Sequence, residues 1–297
     1  MGLFILTGSQ QFGFMEKITQ SLAGRVATIP LMPFSLGELQ RVNRAPKRLE
    51  ELLWTGLYPP IWDRSIDPPL WHGNYVRTYL ETDIYRLINV RDRSSFHRFL
   101  RMCAARTGQL LNLSALGNDC GITHNTAKAW LSVLEASYIV HLLPPHHRNF
   151  RKRLTKSPKL YFCDTGLAAY LIGIQSAEQL FIHPQRGALF ETWVVTELLK
   201  GRFHHGLESN LFFWRDQSGN EVDIIIDNGL KLIPVEVKSG TTVNRDFFRG
   251  LERWTKLAGE ISDRPYLIYG GDQRQARTKA EVLPWDQIAD LVTLLNS

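Results

Sequence analysis

Residues 222–226 (Val-Asp-Ile-Ile-Ile) and 232–238 (Leu-Ile-Pro-Val-Glu-Val-Lys) are two apolar, β-branched runs separated by the turn signal Asp227-Asn228-Gly229. Such a pair predicts a β-hairpin. Its charges constrain the chain further, because isolated charges are rarely placed in apolar strands unless they are paired or bind a metal. The strand period of two puts Glu236 and Lys238 on one face, opposite to Val235 and Val237. A tight turn sets Asp223 across from Ile233. A bulge at Pro234, which cannot donate to the ladder, would bring it toward Glu236.

Two carboxylates and an ammonium aimed at one place suit metal-assisted phosphodiester hydrolysis. Mg²⁺ (or Mn²⁺) takes one or two carboxylates and fills its remaining positions with water and phosphate. The lysine then orients that water or offsets charge developing on the phosphate. A further carboxylate is expected from a neighbouring helix. Glu191 is the candidate, next to the apolar stripe of Leu189, Phe190, Trp193, Val194 and Leu198. Glu197 and Glu221 are held in reserve, Glu221 because it shares strand parity with Asp223. The residues expected to hold the metal are Asp223, Glu236 and Glu191.

The chain has 297 residues, a net charge of +6, 44% hydrophobic and 22% charged residues. This fits two or three domains with real cores. Cys103, Cys120 and Cys163 are too widely spaced for a zinc site or a disulfide framework and read as reduced thiols. No apolar run approaches membrane-spanning length, and the first residues lack the basic flank of a signal peptide. A cytoplasmic location without membrane contact is expected. The paired histidines His146-His147 and His204-His205 are read as surface loops. Trp54, Trp62 and Trp71 are read as packing residues, and Asp164 or Thr165 as a helix cap.

Basic residues cluster at Arg148, Arg151, Lys152, Arg153, Lys156 and Lys159 without an intervening acid. They follow a segment patterned as helix-turn-helix. Residues 113–120 form a first helix closed by Gly121, and a second helix runs over 126–137, capped by Thr123 or Asn125. A strand over 137–143 and the basic stretch complete the order of a winged helix. His124, Asn125 and Lys128 would face a groove of double-stranded DNA, and Arg148, Arg151, Lys152, Arg153 and Lys156 would contact phosphates. Residues 47–56 and 74–106 read as helical, with Pro59-Pro60 and Pro68-Pro69 bounding a loop between them. Residues 3–7 read as a buried strand. Phe247, Leu251 and Trp254 at helical spacing, a strand at 265–269 and a helix over 285–295 complete an α/β domain.

Longer motifs carry a resemblance. They are Leu6-Thr7-Gly8-Ser9, Ala23-Gly24-Arg25-Val26, Leu31-Met32-Pro33-Phe34-Ser35, Thr107-Gly108-Gln109-Leu110-Leu111-Asn112, residues 156–167 (Lys-Ser-Pro-Lys-Leu-Tyr-Phe-Cys-Asp-Thr-Gly-Leu) and Gly187-Ala188-Leu189-Phe190-Glu191. Together they resemble a prokaryotic family that joins an AAA-type ATPase to a C-terminal domain of unknown function, made of a winged helix and a PD-(D/E)XK nuclease-like fold. The resemblance implies an α/β (α+β) chain in four parts. Residues 1–45 would be an ATPase remnant, 46–106 a helical lid or linker, 107–165 a winged helix-turn-helix, and 166–297 a restriction-endonuclease-like domain. It assigns Asp223, Glu236, Lys238 and Glu191 to the nuclease motif, Thr7-Gly8-Ser9 to a sensor strand and Arg25 to an ATPase arginine. No Gly-x-x-x-x-Gly-Lys-Ser/Thr loop is present, so the chain is expected to be the C-terminal part of such a protein and not to bind ATP. The implied function is a Mg²⁺-dependent DNA endonuclease. The alternatives are a catalytically inactive DNA-binding module and, more weakly, an interaction platform in which the Glu-x-Lys strand only pairs charges.

Overall fold

The computed structural model describes residues 29–85, 92–146 and 156–295. Expectations for residues 3–7, Thr7-Gly8-Ser9, Arg25, His147, Arg148, Arg151, Lys152 and Arg153 lie outside the described residues. The chain mixes helices with two sheets, as an α/β or α+β chain should.

The first described part is helical. Helix α1 (Leu36–Arg41) opens on a capping box, in which Ser35 accepts from the Glu38 N–H and the Glu38 side chain accepts from the Ser35 N–H. α2 spans Leu49–Thr55, α3 Pro59–Asp63 and α4 Pro68–Tyr75. Both proline pairs therefore begin helices instead of bounding a loop. Proline has no N–H to lose in a first turn, and its fixed φ suits helix entry. A π-helical segment, Val76–Ile84, continues from α4, and α5 covers Arg93–Ala105 from its Asp92 cap.

A helix-turn-helix follows. α6 (Leu113–Cys120) ends at Gly121, whose φ of 70° is the left-handed cap a glycine supplies without strain. α7 (His124–Ala136) begins earlier than the pattern indicated, and Thr123, not Asn125, caps it by accepting from the Thr126 N–H. Strands β1 (Gln109–Leu110), β2 (Val140–Leu143) and β3 (Lys159–Phe162) form an antiparallel sheet in the order β1-β3-β2. Asp164 caps α8 (Thr165–Leu171).

The second sheet lies between α9 (Arg186–Phe203) and α10 (Arg249–Ala258). Its strands are β4 (Leu211–Arg215), β5 (Glu221–Asp227), β6 (Leu232–Lys238), β7 (Tyr266–Tyr269), β8 (Gln275–Ala276) and β9 (Glu281–Pro284), in the order β4-β5-β6-β7-β9-β8. The first three form an antiparallel meander, and β6, β7 and β9 run parallel. Trp193 and Val194 of α9 share a core with Ile224, Ile226, Val235 and Val237. Leu251 and Trp254 of α10 share the opposite core with Val222, Ile225 and Leu267. α11 (Ile288–Leu295) closes the α9 side.

The first of these cores runs unbroken from Met32 to Leu291, so the helical part, the small sheet and the large sheet bury one another. Polar contacts pin the same junctions. Arg186 at the start of α9 donates to Glu50 of α2 (2.7 Å) and to the Ser239 carbonyl. Asp164 accepts from the Leu57 N–H (2.6 Å) as well as from Leu167 in its own helix. Past β2, the His146 N–H donates to Phe213 of β4, whose N–H in turn donates to Pro144, so the small sheet is spliced onto the edge of the large one.

Gly166 shows how close that junction is. A Cβ there would lie 2.5 Å from the Thr55 carbonyl oxygen and 2.6 Å from the Gly56 nitrogen. Gly166→Ala should destabilise the fold by about 1–3 kcal/mol in denaturant melts. Gly121→Ala meets open space and should cost about 1 kcal/mol through its φ alone. Equal stability of Gly166→Ala and the parent would contradict this packing.

Candidate functional site

The β5–β6 loop is longer than the tight turn read at Asp227-Asn228-Gly229. Asp227 pairs with Leu232, leaving residues 228–231 as the loop, with Gly229 at φ 82°. Pro234 sits in regular register with Ile225, so no bulge forms there. The shifted register pairs Ile224 with Val235 and puts Asp223 next to Glu236 without help from the proline.

A bulge does form, but on the other side of β5. Phe212 pairs with Ile225 and Trp214 with Val222, so Asp223 and Ile224 together oppose Phe213. The extra residue breaks strand parity. Val222 and Ile225 now share the α10 core, while Ile224 and Ile226 face α9. Glu221 reaches the Lys159 ammonium, and Asp223 lies 3.5 Å from the Lys238 ammonium. The β5–β6 ladder also stops at Ile224, and the next donor, the Val237 N–H, goes to the Asp223 carboxylate (2.8 Å).

Asp223 thus stands between two groups of charges. On the α10 side, Lys238 Nζ lies 2.5 Å from Glu236 Oε1 and 3.5 Å from Asp223 Oδ2. Glu236 Oε2 is buried without a hydrogen-bond partner. Gly250, in the first turn of α10, packs so closely that a Cβ would lie 3.1 Å from that oxygen and 2.6 Å from the Glu221 carbonyl oxygen. Burial and the neighbouring Asp223 push Glu236 up to about 8, against the pull of Lys238. Burial disfavours the Lys238 ammonium, but Asp223 and Glu236 outweigh it and raise its pKa.

On the α9 side, Lys159 from β3 reaches into the large sheet. Its ammonium lies 2.9 Å from Glu191 Oε1 and also contacts Glu221. Tyr161, two residues along β3, donates to the same Glu191 oxygen at 2.5 Å. Arg215 pairs with Glu221 at 3.1 Å. Burial alone would discharge Lys159, but Tyr161, Glu191, Asp223 and Glu221 hold its pKa well above the ordinary lysine value.

The expected trio is therefore only partly assembled. Asp223 and Glu236 share Lys238, and Glu191 is spoken for by Lys159 and Tyr161. Among the described residues, no three His, Cys, Asp or Glu side chains are gathered into a metal-holding group. Glu197 is remote in role: it accepts from the Leu36 N–H and pairs with Lys200, which donates to the Phe34 carbonyl. The residues missed in the sequence are Lys159 and Tyr161. Lys159 stood in the basic run, and its apolar partners Leu160 and Phe162 in a fully buried strand were the signal that it does not face solvent.

His124, Asn125 and Lys128 all lie exposed at the start of α7, and Lys156 is exposed before β3. His146 is not a surface histidine. It is buried, edge-on to Phe212 and Trp254, and lies 3.7 Å from Asp227. His204 and His205 are exposed. Trp54 and Trp62 pack against the main core, and Trp71 stacks on Tyr75. All three cysteines are buried and unbridged. No helix among the described residues is long and apolar enough to cross a membrane.

Residues 46–178 match the domain of unknown function DUF8612, and residues 186–288 match the domain of unknown function DUF4143. The chain is similar to uncharacterized protein Rv2008c of Mycobacterium tuberculosis and uncharacterized protein Mb2031c of Mycobacterium bovis. Each is 30% identical over 290 residues, covering 96% of this chain and 62% of the relative. The chain thus spans about three-fifths of the length of the curated relatives it matches.

The Glu236 environment gives a pH test. In the metal-free protein burial and Asp223 raise the folded carboxyl to about 8, from an ordinary value of 4.5. Its stabilising contribution is complete below the ordinary value and is lost as pH rises through about 8, at no more than about 1.4 kcal/mol per pH unit. In metal-free denaturant melts between these values, Glu236→Gln should remove that downward slope relative to the parent. Parallel profiles for the two proteins would contradict the assignment.

Proposed function

We propose that this chain is a DNA-binding protein whose Asp223, Glu236 and Lys238 form a Mg²⁺-dependent phosphodiesterase site of the PD-(D/E)XK kind. One observation carries the reading: a buried carboxylate oxygen of Glu236 has no partner, beside Asp223 and an ammonium, where two strands part company. Hard oxygen donors in that number fit Mg²⁺ (or Mn²⁺), which binds through one or two carboxylates and keeps positions for phosphate and water. Asp223 and Glu236 would hold the ion. When bound, it would polarise the phosphoryl oxygen and acidify a water.

The chain's own groups do the rest. The Val237 N–H fixes the Asp223 carboxylate, and the buried site keeps bulk water from screening its charges. Lys238, held charged by both acids, offsets negative charge as it grows on the phosphate. Duplex DNA would be gripped by His124, Asn125 and Lys128 on α7, with Lys156 and the basic residues before it on the phosphates. The resemblance to ATPase–nuclease proteins belongs to this same proposal, as does a cytoplasmic location. It gives these residues no ATP site of their own, since they contain no phosphate-binding loop.

The occupied Glu191 favours a second reading, in which the site has lost cleavage and the chain is a DNA-binding module. Asp223→Asn separates the two. Under the first reading it lowers Mg²⁺-dependent cleavage of duplex DNA by at least about a hundredfold, with binding by fluorescence anisotropy unchanged. A variant that cuts as fast as the parent sinks the site, and a parent that binds but never cuts leaves the module.

DNA contact has its own test. Lys128→Ala should weaken binding evenly across sequences and reduce the slope of log affinity against log salt by about 1. An unchanged slope would remove α7 from the interface.

A further inference from the structure

We infer that Lys159 is a built-in cation of the site: it fills a second cation position, formed by Glu191 and Glu221 beside Asp223, and leaves room for a single divalent ion between Asp223 and Glu236. The inference rests on the phosphodiesterase reading above and deepens it, by fixing how many metal ions the site accepts and which acids hold them.

The geometry has three parts. First, the Lys159 ammonium is buried, with only 4% of its side chain exposed, and it touches one carboxylate from each of two different elements. Glu191 comes from α9 and Glu221 from β5. One ammonium thus neutralises an acid from a helix and an acid from a strand. Second, the β5 bulge turns Glu221 to the α9 side and leaves Asp223 between the two sides. Asp223 acts on Lys159 from one direction and on Lys238 from the other. Third, the two sides differ in satisfaction. Glu191 receives both Lys159 and Tyr161, and Glu221 receives both Lys159 and Arg215. Glu236 keeps a buried oxygen with no partner.

A fixed ammonium also suits a buried position better than a hydrated ion does. It needs no water of its own, and its tether on β3 sets its place without a binding equilibrium. Phe213, whose ring lies 5.5 Å from the ammonium, walls it from solvent. Because β3 belongs to the sheet that follows the helix-turn-helix, the same lysine makes the large sheet's site depend on the small sheet. Lys159 is a positioning residue here. It touches acids, not the phosphate.

Mn²⁺ titration calorimetry on the full chain tests this without any cleavage assay. The parent should bind one Mn²⁺ per chain, and Lys159→Gln should bind two, as Glu191 and Glu221 are released. The parent's affinity should fall by more than about tenfold in Asp223→Asn and change by less than about threefold in Glu191→Gln. One Mn²⁺ in both parent and Lys159→Gln, or a parent that already binds two, overturns the inference while the phosphodiesterase reading stands. A parent that binds none beside a Lys159→Gln that binds one supports Lys159 as the resident cation and overturns that reading. No binding in either overturns both. Should Lys159→Gln fail to fold by circular dichroism, Glu191→Gln decides: a loss above about tenfold makes Glu191 a ligand and removes Lys159 from the role.

Discussion

The extra residue in β5 is the constraint from which the site follows. By setting Asp223 and Ile224 against Phe213 alone, it reverses the alternation of side chains along the strand. Glu221 goes to the α9 side, Glu236 remains on the α10 side, and Asp223 stands between them. The bulge also coincides with the end of the β5–β6 ladder, where the Asp223 carboxylate takes the Val237 N–H that backbone would otherwise hold. Bulges re-aim side chains in just this way beside functional sites.

The rest of the molecule holds that arrangement in place. Burying a lysine among carboxylates is costly unless geometry is fixed and hydrogen bonds complete it. Here the lysine arrives on a strand of the small sheet, and its partner Glu191 arrives on α9. Their relative position is set by Arg186 against Glu50, by Asp164 bridging α2 and α8, and by the splice of residues 144–146 onto β4. The unbroken core from Met32 to Leu291 supplies the burial. The helical part therefore stabilises the charged site indirectly, through the packing of α2 and α8 against α9.

Much of this was legible in the sequence where local chemistry decides. Periodicity and caps gave α6, α7 and the strands β5 and β6, and charges inside apolar strands marked Asp223, Glu236 and Lys238. Register was not legible, because it depended on the length of the loop, and Asn228-Gly229 suits both a tight turn and the four-residue loop that forms. The bulge was hidden for a related reason: no glycine or proline marks it, and only the pairing of Phe212 and Trp214 reveals it. Lys159 was misplaced because its neighbours in sequence are basic, whereas its neighbours in space are Glu191 and Glu221. The proline pairs misled in the opposite direction, since proline punctuates loops and also begins helices. Glu197, the reserve for Glu191 on the same helix, points elsewhere because a helix rotates successive positions, and it lies against Leu36 and Lys200.

In the proposed site Asp223 and Glu236 hold one divalent ion while Lys159 holds Glu191. A crystal of the full chain soaked in Mn²⁺, with anomalous scattering recorded at the manganese edge, addresses it directly. A single peak is expected between Asp223 and Glu236, with the Lys159 ammonium still in contact with Glu191 and Glu221. No peak at Asp223 and Glu236, or a peak in place of the Lys159 ammonium, would contradict it.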